Sequence, residues 1–183
     1  MRVIGGTYRG RRLRTVAGLS VRPTSDRLRE TLFNIISSRV RESRFLDLCA
    51  GSGAVGIEAI SRGASHVTFV DSSRHACSVL QSNLDAIGIT ENVTVISRDA
   101  AVALRRLDTS GAPFDLVFFD PPYASGIYDQ VLKRLGGGRL VSTTGLVIAE
   151  FLAKTPPKLE YGRLSLRREL KQGESALAFY EPR

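Results

Sequence analysis

From Phe45 onward the chain alternates short apolar runs with stretches whose apolar residues recur at helical spacing. The runs are "RFLDLCA", "HVTFVD", "NVTVIS", "FDLVFFD" and "GLVIAEF". "AVGIEAISRG" follows the first. "SSRHACSVLQSNLDAIG" follows the second, with Ala76, Val79, Leu80, Leu84 and Ile87 on one face. "AAVALRRL" reads as a shorter helix, and Tyr128, Val131, Leu132 and Leu135 mark another. Strands buried on both faces and joined by crossover helices predict a doubly wound, mainly parallel α/β sheet.

The two ends of the chain depart from this rhythm. "RLSLRREL", a turn at Gly173 and "ALAFYEP" read as two strands of a hairpin, bringing the count to seven and giving the sheet an antiparallel edge. At the start, Gly5-Gly6 and Gly18 break the chain into the extended pieces "RVIGGTY" and "RRLRTVAG", a second, smaller hairpin. In "RPTSDRLRETLFNIISSRV", Pro23 and the cap candidates Thr24, Ser25 and Asp26 precede Leu28, Leu32, Ile35 and Ile36 at helical spacing. The expected organisation is a hairpin arm over residues 1–21 and a main domain with its lead-in helix over 22–183.

At 183 residues the chain suits one core that buries roughly 70% of the unfolded surface. Cys49 and Cys77 lack the spacing of a zinc site or disulfide framework and read as reduced thiols, which points to the cytoplasm. No apolar run approaches the roughly 18 residues of a membrane span, so no membrane role is expected. The net charge of +8 is unevenly placed. Residues 1–44 carry eleven arginines against three acids, leaving fifteen basic and fifteen acidic residues in the rest. Arg2, Arg9, Arg11, Arg12 and Arg14 stand beside glycines and Tyr8, a combination suited to phosphate contact and base stacking. A solvated arm that only aids solubility is the plainer alternative, and Tyr8 could equally pack within the hairpin.

Gly51-Ser52-Gly53-Ala54-Val55-Gly56 matches the G-x-G-x-x-G pattern between a strand and a helix, with Asp71 twenty residues on. Asp47, on the strand before the loop, would repel a pyrophosphate and attract a cationic amino-acid group. S-adenosylmethionine has that group and no phosphate. Asp47, Asp71, Asp99 and Asp120 each end one of four successive strands, at the edge where ligands of open α/β sheets bind. They are assigned in turn to the methionine amine, the ribose hydroxyls, the adenine amino group and the chemistry. Taken alone, Asp99 would be read as a helix cap. Cys49, Gly51 and Gly53 of the loop and Ala100 beside Asp99 complete the candidate cofactor set.

The fourth strand runs into Asp120-Pro121-Pro122-Tyr123. With "DLCAGSG" and "DPPY" in place, the chain from Phe45 to Arg183 resembles a class I S-adenosylmethionine-dependent methyltransferase of Rossmann-like fold. "RVIGGTYRGRRL", "RPTSDRLRETLFNII", "FLDLCAGSGAVGIEAISRGA" and "FFDPPY", in this order, resemble the RsmD family, which methylates N2 of a guanine in bacterial small-subunit (16S) ribosomal RNA. The resemblance implies S-adenosylmethionine as cofactor and ribosomal RNA within a small-subunit particle as partner. It also implies that Arg22, Pro23 and Thr24 lie near the cofactor.

An exocyclic base amine is a poor nucleophile because its lone pair is delocalised into the ring. Asp120 and the Pro121 carbonyl would accept its N–H groups on a corner stiffened by Pro121 and Pro122, and Tyr123 would stack on the base. The base must come from a loop or be flipped out. Displacement at a sulfonium needs no metal. His66 and His75 read as surface or helix-end residues. The competing readings are an adenine-N6 or cytosine-N4 methyltransferase, a glutamine-modifying protein methyltransferase, a nicotinamide-dependent oxidoreductase, and a non-catalytic RNA-binding assembly factor.

Overall fold

Eight strands form one sheet in the order β3-β2-β1-β4-β5-β8-β7-β6 in a computed structural model that describes residues 1–16, 26–122, 126–155 and 157–183. The five expected core strands are β1 (Arg44–Leu48), β2 (His66–Asp71), β3 (Val93–Ser97), β4 (Phe114–Phe119) and β5 (Val141–Leu152). They pair in parallel throughout. β7 (Leu164–Gln172) and β8 (Ser175–Pro182) form the expected hairpin. Its second strand lies inside, antiparallel to β5, and β7 lies outside it. The strand missing from the seven-strand count is β6 (Glu160–Tyr161), which pairs with β7 through two residues. A piece that short carries no periodicity, so the antiparallel edge is three strands wide.

Helices cover both faces. α1 (Asp26–Ile35), α3 (Ala54–Ser61) and α4 (Arg74–Ile87) join one apolar cluster with Phe45, Phe69 and Phe118. α5 (Ala100–Ser110) and α6 (Tyr128–Gly137) join the other with Leu48, Phe119 and Phe151. A single turn, α2 (Ser37–Val40), leads into β1. Residues alternate between the two clusters along each strand, which is why the runs read as continuously apolar. The proposed caps Thr24 and Ser25 lie outside the described residues.

The N-terminal pieces meet in one antiparallel bridge, Arg2 with Arg12, flanked by Val3 N–H to the Arg11 carbonyl at 3.0 Å and Leu13 N–H to the Met1 carbonyl at 3.0 Å. Val3 and Leu13 point inward and belong to the α1–α3–α4 cluster, so the hairpin is packed onto the main body. Both cysteines are free and half-buried. Among the described residues, no helix is long and apolar enough to cross a membrane.

Candidate active site

Because β1 to β4 run in parallel, their C-terminal ends share one edge of the sheet. Asp47 and Asp71 stand at the ends of β1 and β2, Asp120 follows β4, and Asp99 follows β3 by two residues as the cap of α5. The Asp120 N–H reaches the Leu48 carbonyl at 3.3 Å, which ties the end of β4 to the start of the glycine loop. Cys49 reports the convergence. Burial pushes its thiol above the ordinary cysteine range, and the carboxylates of Asp71, Asp120, Asp47 and Asp99 push it further. All four acids thus lie on the same edge of the sheet as Cys49.

The loop between β1 and α3 turns on left-handed residues: Cys49 at φ 64°, Gly51 at φ 56° and Gly53 at φ 80°. Gly53 caps α3 and leaves no room for a side chain, since a Cβ there would lie 2.1 Å from Leu80 Cδ1. Over Gly51 a Cβ would meet nothing within 4 Å. The space above the loop is open, and the loop backbone forms its floor.

Asp47 is 2% exposed, and Oδ2 accepts from Gly56 N–H at 2.9 Å. Burial raises its carboxyl to about 7, the Gly56 bond opposes that rise, and the charge of Asp71 adds to it. Asp71 holds the loop in shape. Its Oδ2 accepts from Gly51 N–H and its Oδ1 from Ser73 N–H, both at 2.8 Å. Asp99 is the cap that it resembles in isolation: Oδ1 accepts from Ala101 N–H at 2.9 Å and Val102 N–H at 3.2 Å. Ala100, the first residue of α5, is buried behind it.

At the proline corner Asp120 is half-buried, Pro121 buried and Pro122 exposed. Tyr123 lies outside the described residues, as do Arg22, Pro23 and Thr24. The chain resumes at Gly126 and enters α6 at Tyr128. That ring packs edge-on to Phe119 at 5.5 Å, and its hydroxyl donates to the Glu150 carbonyl at 2.8 Å.

Arg2, Arg9, Arg11, Arg12 and Arg14 are exposed on the hairpin, whereas Tyr8 is half-buried against the core. What seats the hairpin escaped the sequence reading. Glu58 of α3, fully buried, accepts from Ile4 N–H at 2.7 Å, Gly5 N–H at 2.8 Å and Arg62 Nε at 2.7 Å. Arg29 Nε stands 3.9 Å away, and its Nη2 donates to the Arg2 carbonyl. Ser61 Oγ donates to the Gly5 carbonyl and accepts from Tyr8 N–H, and a Cβ on Gly6 would collide with the Ser61 carbonyl at 1.8 Å. Further along, buried Asn83 of α4 bonds both N–H and C=O of Arg14 and also the Ser52 carbonyl at 2.9 Å. The arm thus passes beside the glycine loop before residue 17. A signal was available: Glu58 is the one charge in "AVGIEAIS", and Asn83 falls on the apolar stripe of α4 at Ala76 plus seven.

The chain matches the family described as "Conserved hypothetical protein 95" over residues 1–181. It is 36% identical over its whole length to the "Putative rRNA methyltransferase YlbH" of Bacillus subtilis, all of which is covered. It is 33% identical to "Ribosomal RNA small subunit methyltransferase D" of Escherichia coli, across 99% of this chain and 89% of that protein. Among solved structures, "Putative methyltransferase yhhF from Escherichia coli" superposes with TM-score 0.85 at 33% identity, across 100% of this chain and 97% of that one. The α/β sheet with its glycine loop and antiparallel end is therefore the class I methyltransferase fold. On the whole-chain match and the identity to these relatives, the protein belongs to the conserved hypothetical protein 95 (RsmD) family of methyltransferases.

Proposed function

We propose that this protein transfers a methyl group from S-adenosylmethionine to the exocyclic N2 amine of a guanine in small-subunit (16S) ribosomal RNA. The observation that carries the reading is the placement of Asp47, Asp71, Asp99 and Asp120 at the C-terminal ends of β1 to β4, beside the glycine loop and the Pro121–Pro122 corner. The relatives' names supply the RNA class, and the family resemblance supplies the guanine.

The residues present fit this cofactor. Carboxylates at the strand ends beside an open glycine loop disfavour a phosphate ligand and favour a cation. Bound there, S-adenosylmethionine supplies an electrophilic methyl group on a sulfonium. Asp47, buried and bonded only to Gly56 among the described residues, would hold the ammonium. Asp71 would take the ribose hydroxyls on the lone pairs that Gly51 and Ser73 leave free, and Asp99 the adenine amine on Oδ2. Asp120 and the Pro121 carbonyl would accept the guanine N–H groups, orient the nitrogen and localise its lone pair. Pro122 stiffens the corner, and Tyr123 would stack on the base. Arg22, Pro23 and Thr24 would close over the cofactor, since the arm leaves Asn83 beside the glycine loop just upstream. Residues 1–21, with Arg2, Tyr8, Arg9, Arg11, Arg12 and Arg14, would hold the RNA, and residues 22–183 would form the catalytic domain. The substrate is rRNA within a small-subunit particle, and the site of action is the cytoplasm.

Mass spectrometry of digested 16S RNA from cells lacking the protein tests the reading. One missing N2-methylguanine is expected, restored by the wild-type chain and purified cofactor in vitro. An unchanged methylation map would overturn it.

A further inference from the structure

We infer that a cavity at the C-terminal end of β5 seats a second nucleobase, one that flanks the methylated guanine in the same RNA strand. The inference rests on the proposed function and adds a subsite to it. The cavity has a volume of about 300 Å³ and is lined by the half-buried Tyr128 over a floor of buried Phe151 and Tyr161, with Thr155 and the paired Asp129 and Lys158 at its rim. Phe119 of β4 is in register with Ala149 of β5, so Phe151 lies one strand across from Asp120 and one residue further toward the crevice. Strand geometry puts their Cα atoms about 6 Å apart. The cavity is thus the next recess along the edge that would present the target base.

Its aromatic walls are fixed before any ligand arrives. Tyr128 is pinned by its edge contact to Phe119 and its hydrogen bond to the Glu150 carbonyl. Tyr161 lies edge-on to Tyr180 at 5.7 Å and donates to Asp129 Oδ1 at 3.1 Å. Lys158 is tied down by its N–H to the Tyr161 hydroxyl and by the Tyr180 hydroxyl to its carbonyl, at 3.1 and 2.8 Å. A fixed aromatic recess whose accessible ring is Tyr128, with Asp129 held at the mouth by Lys158 and the Tyr161 hydroxyl, matches a planar ring stacked on Tyr128. Lys154 is exposed beside the mouth, as a nucleotide's phosphate requires, and Lys158, also exposed, is paired with Asp129. The partner's chemistry supplies the need: a base drawn out of its stack leaves its neighbour without a stacking partner, and an aromatic recess provides one.

The test compares wild type with Thr155→Trp, which fills the cavity from its rim, on small-subunit particles from cells lacking the protein. The expected result is a KM for particles raised about tenfold, with kcat and calorimetric S-adenosylmethionine affinity unchanged. Ultraviolet crosslinking of wild type to the same particles should yield a nucleotide adduct on the peptide spanning residues 151–161. A wild-type KM in Thr155→Trp, or a crosslink from that peptide to a ribosomal protein, overturns the subsite and leaves the methyltransferase reading standing. If wild type transfers no methyl group to the particles, that reading fails by itself, and the presence or absence of the nucleotide adduct still decides the pocket.

Discussion

Asp47 and Glu58 are both buried, at 2% and 0% exposure, and both answer to α3, yet they are furnished differently. Glu58 receives two backbone N–H groups and the Arg62 guanidinium, with Arg29 close behind. Asp47 receives one N–H, from Gly56, and its carboxyl is driven up to about 7. Burying an anion is costly unless charge and hydrogen bonds compensate it, so the two acids pose the same problem with two answers. The protein itself completes Glu58, which makes it a fastening between the hairpin and α3. Asp47 has only the Gly56 N–H among the described residues, which is what the proposed ammonium site requires. One short helix therefore holds the N-terminal hairpin at its C-terminal half and the glycine loop at its N-terminal turn.

Removing the completed acid should do the greatest damage. Glu58→Ala strands the Ile4 and Gly5 N–H groups and leaves buried Arg29 with Asp26 as its one paired carboxylate among the described residues, a loss of about 3 kcal/mol. For a chain of this size that lowers Tm by roughly 10 °C. Thermal melts with and without S-adenosylmethionine check it: both should fall together, and a selective loss of cofactor binding would show that Glu58 belongs to the site. Asp120→Ala should show the opposite profile. Loss of an acceptor aimed at the reacting nitrogen costs about 10²–10³ in kcat, while Tm and calorimetric cofactor affinity hold. Retained turnover would remove Asp120 from the chemistry.

How much of this contrast the sequence discloses depends on range. The parallel half is legible because strands covered on both faces are apolar end to end, and the acids at their tips, Asp47, Asp71 and Asp120, are polar breaks in that pattern. Asp99 is legible only as a cap, which it is; a ligand role needs the crevice that chain folding creates. β6 escapes because two residues have no period. The hairpin is visible as glycine-broken extended pieces, but its anchor is not. Glu58 and Ser61 meet Ile4, Gly5 and Tyr8 across more than fifty residues, and local patterning holds no record of such a pairing. The glycines Gly5 and Gly6 are the local trace of it, since each lies against the end of α3.

Completing Asp47 by substitution should produce a smaller effect, of opposite sign for folding and for binding. Its folded carboxyl titrates near 7, above the value of 3.8 for a free aspartate, so the native state holds the extra proton between these values. The resulting stability is present below about pH 4 and lost as pH rises through 7. Asp47→Asn cannot lose it. The shift corresponds to about 4 kcal/mol at most, and the buried amide's unmatched N–H offsets part of that, leaving a net gain on the order of 2 kcal/mol. Melts should therefore place the variant roughly 5 °C below wild type near pH 4 and roughly 5 °C above it at pH 8, the two curves crossing in between. Cofactor affinity should move the other way, about tenfold weaker at pH 8. In wild type it should fall as pH drops below 7, because an ammonium requires the ionised acid and Asp71 opposes that ionisation. A variant that binds as tightly as wild type at pH 8 would make Asp47 a second Glu58.

The arm should produce the smallest effect per residue and the most specific signature. Arg9, Arg11, Arg12 and Arg14 are exposed and, among the described residues, make no side-chain hydrogen bond or ion pair that seats the hairpin; Arg14 is held by its backbone to Asn83. Changing all four to Gln should leave Tm and cofactor affinity in place. Each phosphate contact to single-stranded RNA contributes a slope of about −0.7 to log K against log salt, so losing four should flatten the slope by about 3. Filter binding of an rRNA fragment across a salt series measures it. If the slope is unchanged while solubility falls, the arginines serve the solvent, and the firm docking of the hairpin on Glu58 would then be a matter of stability alone.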